Sequence, residues 1–220
     1  MYIPKAFEVT DSSTLYEFIA AYSFGTLVTV VGEQPLATRL PMILDRTCGR
    51  HGTLLGHLAR ANPQWRSFDG ERQGLVMFDG PHAYVSPSWY ATSPAVPTWN
   101  YATVHVRGIP RPIHDPEQLS ALVDRLVGYY EAGMPQPWPN RLPADFKAMM
   151  LKEIVGFAIE IDTIEGKFKM GQNRPVEDRI GTVLRLEVSP DPAARALAKL
   201  TRKHLGLDAA SVSSPRTSGK

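Results

Sequence analysis

"FGTLVTVVGEQPLATRLPMILD", residues 24–45, holds two apolar runs separated by a short polar interval. In the second run Leu40, Met42 and Leu44 alternate toward one face, which puts Arg39 on the other beside Ala37 and Pro41. With Gly32 to Pro35 as the turn, the stretch predicts a β-hairpin. Outward from it, "GTLLGHL" (52–58) predicts a third strand. "QGLVMFDG" (73–80) and "AYVSPSWY" (83–90) read as a further strand pair, and "TWNYATVHVRGIPRPI" (98–113) as one long strand. Six strands in about the first half, mostly joined by short turns, favour an antiparallel sheet closing as a barrel.

The period then changes. In "DPEQLSALVDRLVGYYE" (115–131) Asp115 is an N-cap, Pro116 stands at the first helical position and Gln118 completes a capping box. Leu119, Leu122, Val123, Leu126, Val127 and Tyr130 have the spacing of one helix face. "PADFKAMMLKEI" (143–154) predicts a shorter helix, and "VGFAIEIDTIEGKFKM" (155–170) returns to strand character through Phe157, Ile159 and Ile161. Helices are also predicted from Asp11 or Ser12 to Ala21, over 175–186, and over 192–205 with a stop at Gly206. Asn62-Pro63 starts a short one carrying Trp65 and Phe68. The fold class is therefore mainly β with flanking helices. Residues 1–207 are expected to form a single domain with C-terminal helices, and 208–220 a disordered tail.

Composition narrows the function classes. The chain has 220 residues, 43% hydrophobic, with a formal net charge of +2, too small to imply a nucleic-acid partner by bulk electrostatics. One cysteine, Cys48, excludes an internal disulfide and a cysteine-built metal site. The N-terminal stretch lacks the basic start and apolar run of a signal peptide, and no segment reaches the length of a transmembrane helix. A cytoplasmic protein without membrane contact is expected. The six His are scattered, no His-x-x-x-His pair, nucleophile elbow or phosphate loop occurs, and no metal is expected. The catalytic residues, if any, are unknown from sequence.

Three clusters could bind a ligand. Arg39, on the strand face opposite Leu40, Met42 and Leu44, is either a solvated strand charge or a cation for a ligand. His57, at a strand end before the Asn62-Pro63 helix start and near Arg60, sits where an anion would be welcome. In "GKFKMGQNRP" (166–175), Lys167 and Lys169 share a strand face that ends in Gln172, Asn173 and Arg174. A polar strand edge is one reading of that cluster. The other is a site for a phosphate and the polar edge of a flat ring, which flavin mononucleotide (FMN) would fit. A last stretch, "YVSPSWYATSPAVPTWNY" (84–101), holds three Tyr, two Trp and three Pro and no charge. The C-terminal helix carries Arg195, Lys199, Arg202, Lys203 and His204, a basic face that suits solvent or weak phosphate contact.

"MYIPKAF", "LATRLPMIL", "GHLARANPQW", "YVSPSWY", "VPTWNYATVHVRG" and "KFKMGQNRP" stand in the order in which similar motifs occur in the PaiB family of FMN-binding, negative-transcriptional-regulator-like proteins. The resemblance covers roughly residues 1 to 205. It implies a split β-barrel of the FMN-binding, pyridoxamine-phosphate-oxidase-like type, a homodimer, and FMN at the subunit interface. It also implies a negative regulator of the protease-synthesis and sporulation kind, with DNA contact weak or indirect. Position by position, Thr38, Arg39 and Leu40 resemble the strand that runs along the flavin, and His57 to Asn62 the next cofactor-facing strand end. Ser86, Trp89, Tyr90 and Asn100 fall in the family's aromatic signature. Lys169, Gln172, Asn173 and Arg174 fall in its basic one. Two other functions fit the same residues: a small FMN-dependent oxidoreductase, or a barrel without cofactor acting as an interaction protein.

Overall fold

The computed structural model describes residues 1–207, so the expected disordered tail, 208–220, lies outside the described residues. In chain order the elements begin with β1 (Glu8–Val9), α1 (Ser12–Ala21), β2 (Phe24–Val31) and β3 (Gln34–Asp45). Next come β4 (Thr53–Ala59), β5 (Gly74–Val85), β6 (Thr98–Gly108) and β7 (Pro110–Ile113). The chain continues with α2 (Pro116–Glu131), α3 (Ala144–Leu151), β8 (Ile154–Glu160), β9 (Thr163–Lys169), α4 (Val176–Glu187) and α5 (Pro192–Leu205). Every strand pair described is antiparallel. The expected class, mainly β with flanking helices, is what the chain adopts.

Two compact units divide the chain, and β5, β6 and β9 contribute residues to both. The larger comprises residues 10–78 and 104–165. Its β2–β3 hairpin is tighter than predicted: Val31 pairs with Gln34 across Gly32 and Glu33 alone. Gly32 has φ +63°, the positive value such a two-residue turn needs at its first position. β3 pairs on with β4, β4 with β8 and β8 with β7. Fully buried Gln64 ties this sheet together, its amide donating to the carbonyls of Leu27 (3.1 Å) and Leu36 (3.0 Å). On the outer face, Leu119, Leu122 and Leu126 of α2 pack on Ile43 and Leu55. Asp115 caps α2 as expected, accepting from the Gln118 amide at 2.9 Å.

The smaller unit comprises residues 1–9, 79–103 and the described residues from Gly166 onward. Here the structure corrects two strand predictions. Residues 73–80 and 83–90 are not a pair of strands, because β5 runs unbroken from Gly74 to Val85. Up to Phe78 the even-numbered residues of β5 are buried, and from Pro81 the odd-numbered ones are. One extra residue near Gly80 flips the parity as a bulge does, and the interruption mimics a turn in the sequence. Residues 86–90 are not strand at all: Ser86 caps a 3-10 turn, Pro87–Trp89, by accepting from the Ser88 amide. The predicted long strand 98–113 likewise breaks at Ile109 into β6 and β7.

Candidate functional site

In the smaller unit, the segment after β5, the start of β6 and the end of β9 converge on one cavity of about 450 Å³. Tyr90, Thr98, Asn100, Lys169, Asn173 and Arg174 line it, with Phe7 and the apolar residues Pro94, Ala95 and Val96. Its size lies within the ~300–1,000 Å³ of small-molecule sites. Strand alternation decides which side chains enter. Asn100 of β6 points into it and is only 3% exposed. Trp99, one residue earlier, faces outward and is 54% exposed.

The two cations are held differently. The Lys169 ammonium donates to the Thr98 hydroxyl and, at 2.9 Å, to the Trp99 carbonyl. Burial lowers its pKa, the Lys167 charge lowers it further, and Tyr101 opposes both. The Arg174 guanidinium lies 4.3 Å from the centroid of the Tyr90 ring, and the Arg174 amide donates to the Gly171 carbonyl at 2.9 Å. Gly171 has φ +84°, a turn that glycine takes without strain. Arg179, in α4, runs past this turn: its Cγ is 3.6 Å from where a Cβ on Gly171 would stand. Its Nε is buried and has no hydrogen-bond partner among the described residues.

Asp178 holds the segment that follows Tyr90. Fully buried in α4, it accepts from the Ala91 amide (2.8 Å), the Thr92 amide (3.0 Å) and the Thr92 hydroxyl (2.6 Å). Burial works to raise its pKa, but these bonds and the nearby Arg174 charge hold the carboxyl below the usual carboxylate value. Sequence reading passed over Asp178, which in the first turn of α4 has the look of an ordinary dipole-stabilising acid.

The residues expected to bind cofactor thus separate into distinct groups. Tyr90, Asn100, Lys169, Asn173 and Arg174 share the cavity. Ser86 spends its hydroxyl on Ser88, and Gln172 its amide on the Met170 amide and the Phe168 carbonyl, so both brace backbone. Trp89 lines a separate recess with Leu184 and Arg185. Thr38, Arg39, Leu40, His57 and Asn62 belong to the larger unit. There Asn62 donates to the Thr38 hydroxyl at 2.9 Å, and Arg39 lies 4.9 Å over the exposed Phe24 ring. Leu40 is buried against Gly56. His57 pairs with Gly156, whose face meets Leu119 and Leu122, so the imidazole sits on the face that α2 covers. Burial pushes its pKa down, and its Nδ1 has no partner among the described residues.

A second feature of the smaller unit is an exposed aromatic face. Trp99 meets Tyr84 edge-on at 6.1 Å and His82 at 6.0 Å. Lys167 stands over Tyr101 (5.4 Å) and Tyr2 (5.5 Å). Among the described residues no His, Cys, Asp and Glu side chains group as metal ligands, and no helix is long and apolar enough to cross a membrane.

The antiparallel sheet with its flanking helices has the split-barrel fold. The chain is similar in structure to the flavocytochrome Anf3 from Azotobacter vinelandii, with TM-score 0.61 and 14% identity, covering 82% of this chain and 77% of that one. The FAD and heme binding protein from Mycobacterium smegmatis gives TM-score 0.59 and 16% identity, covering 79% and 78%. At such identities the likeness is one of fold. Residues 1–163 match the family described as "Putative FMN-binding domain", and the chain belongs to that family. A Bacillus subtilis relative, "Protease synthase and sporulation protein PAI 2", is 37% identical over 207 residues, 93% of this chain and 98% of its own length. The cofactor of this PaiB-like chain is FMN. The cavity's donors suit it: two cations for a phosphate monoester, an aromatic ring and a buried carboxamide for a polar-edged plane, and a guanidinium with an unused buried N–H close by.

Proposed function

We propose that the chain is a homodimeric, cytoplasmic PaiB-type regulator whose FMN occupies the cavity of the smaller unit. The observation that carries this reading is the convergence of Lys169, Arg174, Tyr90 and Asn100 on one pocket. Lys169 and Arg174 hold the phosphate, Tyr90 and Asn100 meet the ring system, and Asn173 supplies a further polar contact. Bound FMN supplies reversible electron transfer. The chain's own residues supply charge neutralisation, ring contact and partial exclusion of water. The regulatory role is supported by the B. subtilis relative, whose name links it to protease synthesis and sporulation. Assembly is supported by the outward Trp99–Tyr84–His82 face, since rigid aromatic rings of this kind anchor interfaces.

Direct reading of DNA by α5 is not part of this function. Arg195 donates to the carbonyls of Ser189 and Pro190, and Arg202 to Glu187 and the Leu207 carbonyl. These two cations are engaged within the chain, at the α4–α5 turn and the helix end. Any DNA binding is therefore weak and falls steeply with salt. The test is a visible absorption spectrum of the purified protein, followed by FMN titration of the stripped chain. A flavin spectrum and saturable FMN binding are expected. A colourless chain that binds no FMN would refute the reading, and steady NAD(P)H consumption by the loaded protein would make it an oxidoreductase.

A further inference from the structure

Tyr90 lies in a stretch that has little structure of its own. Residues 91–97 form neither helix nor strand and are mostly exposed, yet Pro94, Ala95 and Val96 are part of the cavity wall. What holds the stretch is α4, at two points that flank Tyr90. After it, the buried Asp178 carboxylate takes the Ala91 amide, the Thr92 amide and the Thr92 hydroxyl. Before it, the Trp89 carbonyl approaches Gly181 so closely that a Cβ there would stand 2.5 Å from its oxygen. Arg174, in the turn that leads into α4, stacks on the ring held between these points.

We propose that Asp178 is the positioning residue of the cavity: by fixing residues 91 and 92 it sets the Tyr90 wall against Arg174. A ligand with a flat ring and a phosphate monoester then finds ring contact and cation at a set separation. The inference rests on the reading of this cavity as the FMN site. Its physical basis is preorganisation. A wall already ordered in the free protein need not be ordered by the ligand, so removing the anchor weakens every ligand that uses the wall. Asp178 acts on ring and phosphate contacts together, unlike the cations, which act mainly on the phosphate.

The experiment is equilibrium titration of FMN and riboflavin with the full chain and its Asp178→Ala and Asp178→Asn variants. Asp178→Ala is expected to weaken both ligands alike, by about tenfold or more, as loss of charge-assisted bonds implies. Asp178→Asn, whose carboxamide oxygen still accepts from the backbone amides, is expected to recover most of that loss. Leu197→Ala is the control for stability, because Leu197 is fully buried in α5. It should lower the thermal midpoint yet keep both affinities within about twofold. Without ligand, hydrogen exchange at the Ala91 and Thr92 amides should quicken in Asp178→Ala. Should that variant not fold, Thr92→Val removes one of the three bonds from the other side and is expected to weaken both ligands by a smaller factor.

Unchanged affinities in Asp178→Ala or Thr92→Val would overturn the proposal, as would a Leu197→Ala variant that loses affinity in step with its stability. Wild-type chain that binds neither FMN nor riboflavin defeats the FMN reading, and the proposal falls with it. Wild-type binding with indifferent Asp178 variants defeats the proposal alone.

Discussion

The Arg174 guanidinium stacks 4.3 Å from the centroid of the Tyr90 ring, so the cavity presents its cation and its aromatic plane as one unit. A phosphate drawn to Arg174 therefore brings the rest of its molecule beside Tyr90. This geometry also explains why two kinds of substitution should be told apart by two ligands.

Arg174→Gln and Lys169→Met should each weaken FMN by about 1.5–3 kcal/mol, the range for hydrogen bonds to charged groups. Riboflavin, which has no phosphate, should lose at most about 1 kcal/mol in Arg174→Gln, through the disturbed cation–π stack. Tyr90→Ala should weaken both ligands and relieve quenching of the bound flavin. Arg39→Ala, which removes a cation engaged on Phe24, should cost FMN less than Arg174→Gln. Fluorescence titrations of both ligands decide it; equal losses in the cation variants would break the phosphate assignment.

Trp99→Asp should convert a dimer to monomer, because it puts a charge into the exposed Trp99–Tyr84 contact. In the parent protein the unfolding midpoint should rise with protein concentration, as mass action requires of a dimer. Light scattering across a dilution series tests both expectations. A parent chain that stays monomeric at micromolar concentration removes the dimer.

Asp45 predicts acid sensitivity in the larger unit. The Thr47 hydroxyl and amide, then Arg125 of α2 at 2.8 Å, lower its carboxyl from 3.8 to about 2. Because the folded value is depressed, this stabilisation is complete above 3.8 and is lost as pH falls toward about 2. Urea unfolding of the parent and Asp45→Asn should give a stability difference that is constant near neutrality and shrinks through that window. A difference independent of pH would show that the contact is only geometric.

Two glycines of the larger unit should rank by what a methyl group would meet. A Cβ on Gly56 meets movable side-chain atoms, the nearest Phe157 at 2.8 Å, so Gly56→Ala should cost about 1–3 kcal/mol. A Cβ on Gly108 would stand 2.0 Å from the Glu160 carbonyl oxygen, which is backbone and cannot turn aside. Gly108→Ala should exceed the upper end of that ~3 kcal/mol range. Denaturant midpoints of the two variants, measured together, test the order.

The β2–β3 hairpin and the Asp115 cap could be read from sequence because strand alternation and helix capping are set by residues a few positions apart. The split assigned to β5 failed for the same reason. Burial parity flips near Gly80 within one continuous strand, and only the neighbouring strands show that the ladder continues. Ser86 and Gln172 carried the polarity expected of ligands, but a polar side chain beside an unpaired backbone group satisfies that group first.

By itself the sequence determined the class of fold, the basic cluster that ends in Arg174 and the uncharged aromatic stretch around Tyr90, since each is a property of contiguous residues. Tertiary structure alone decided that Arg174 stacks on Tyr90 and that Asp178 bonds residues more than eighty positions earlier. Local pattern records which residue types are present and how a strand alternates. The partner of a buried carboxylate is set by how the chain returns on itself, because burial leaves Asp178 no water and only the groups that packing brings to it.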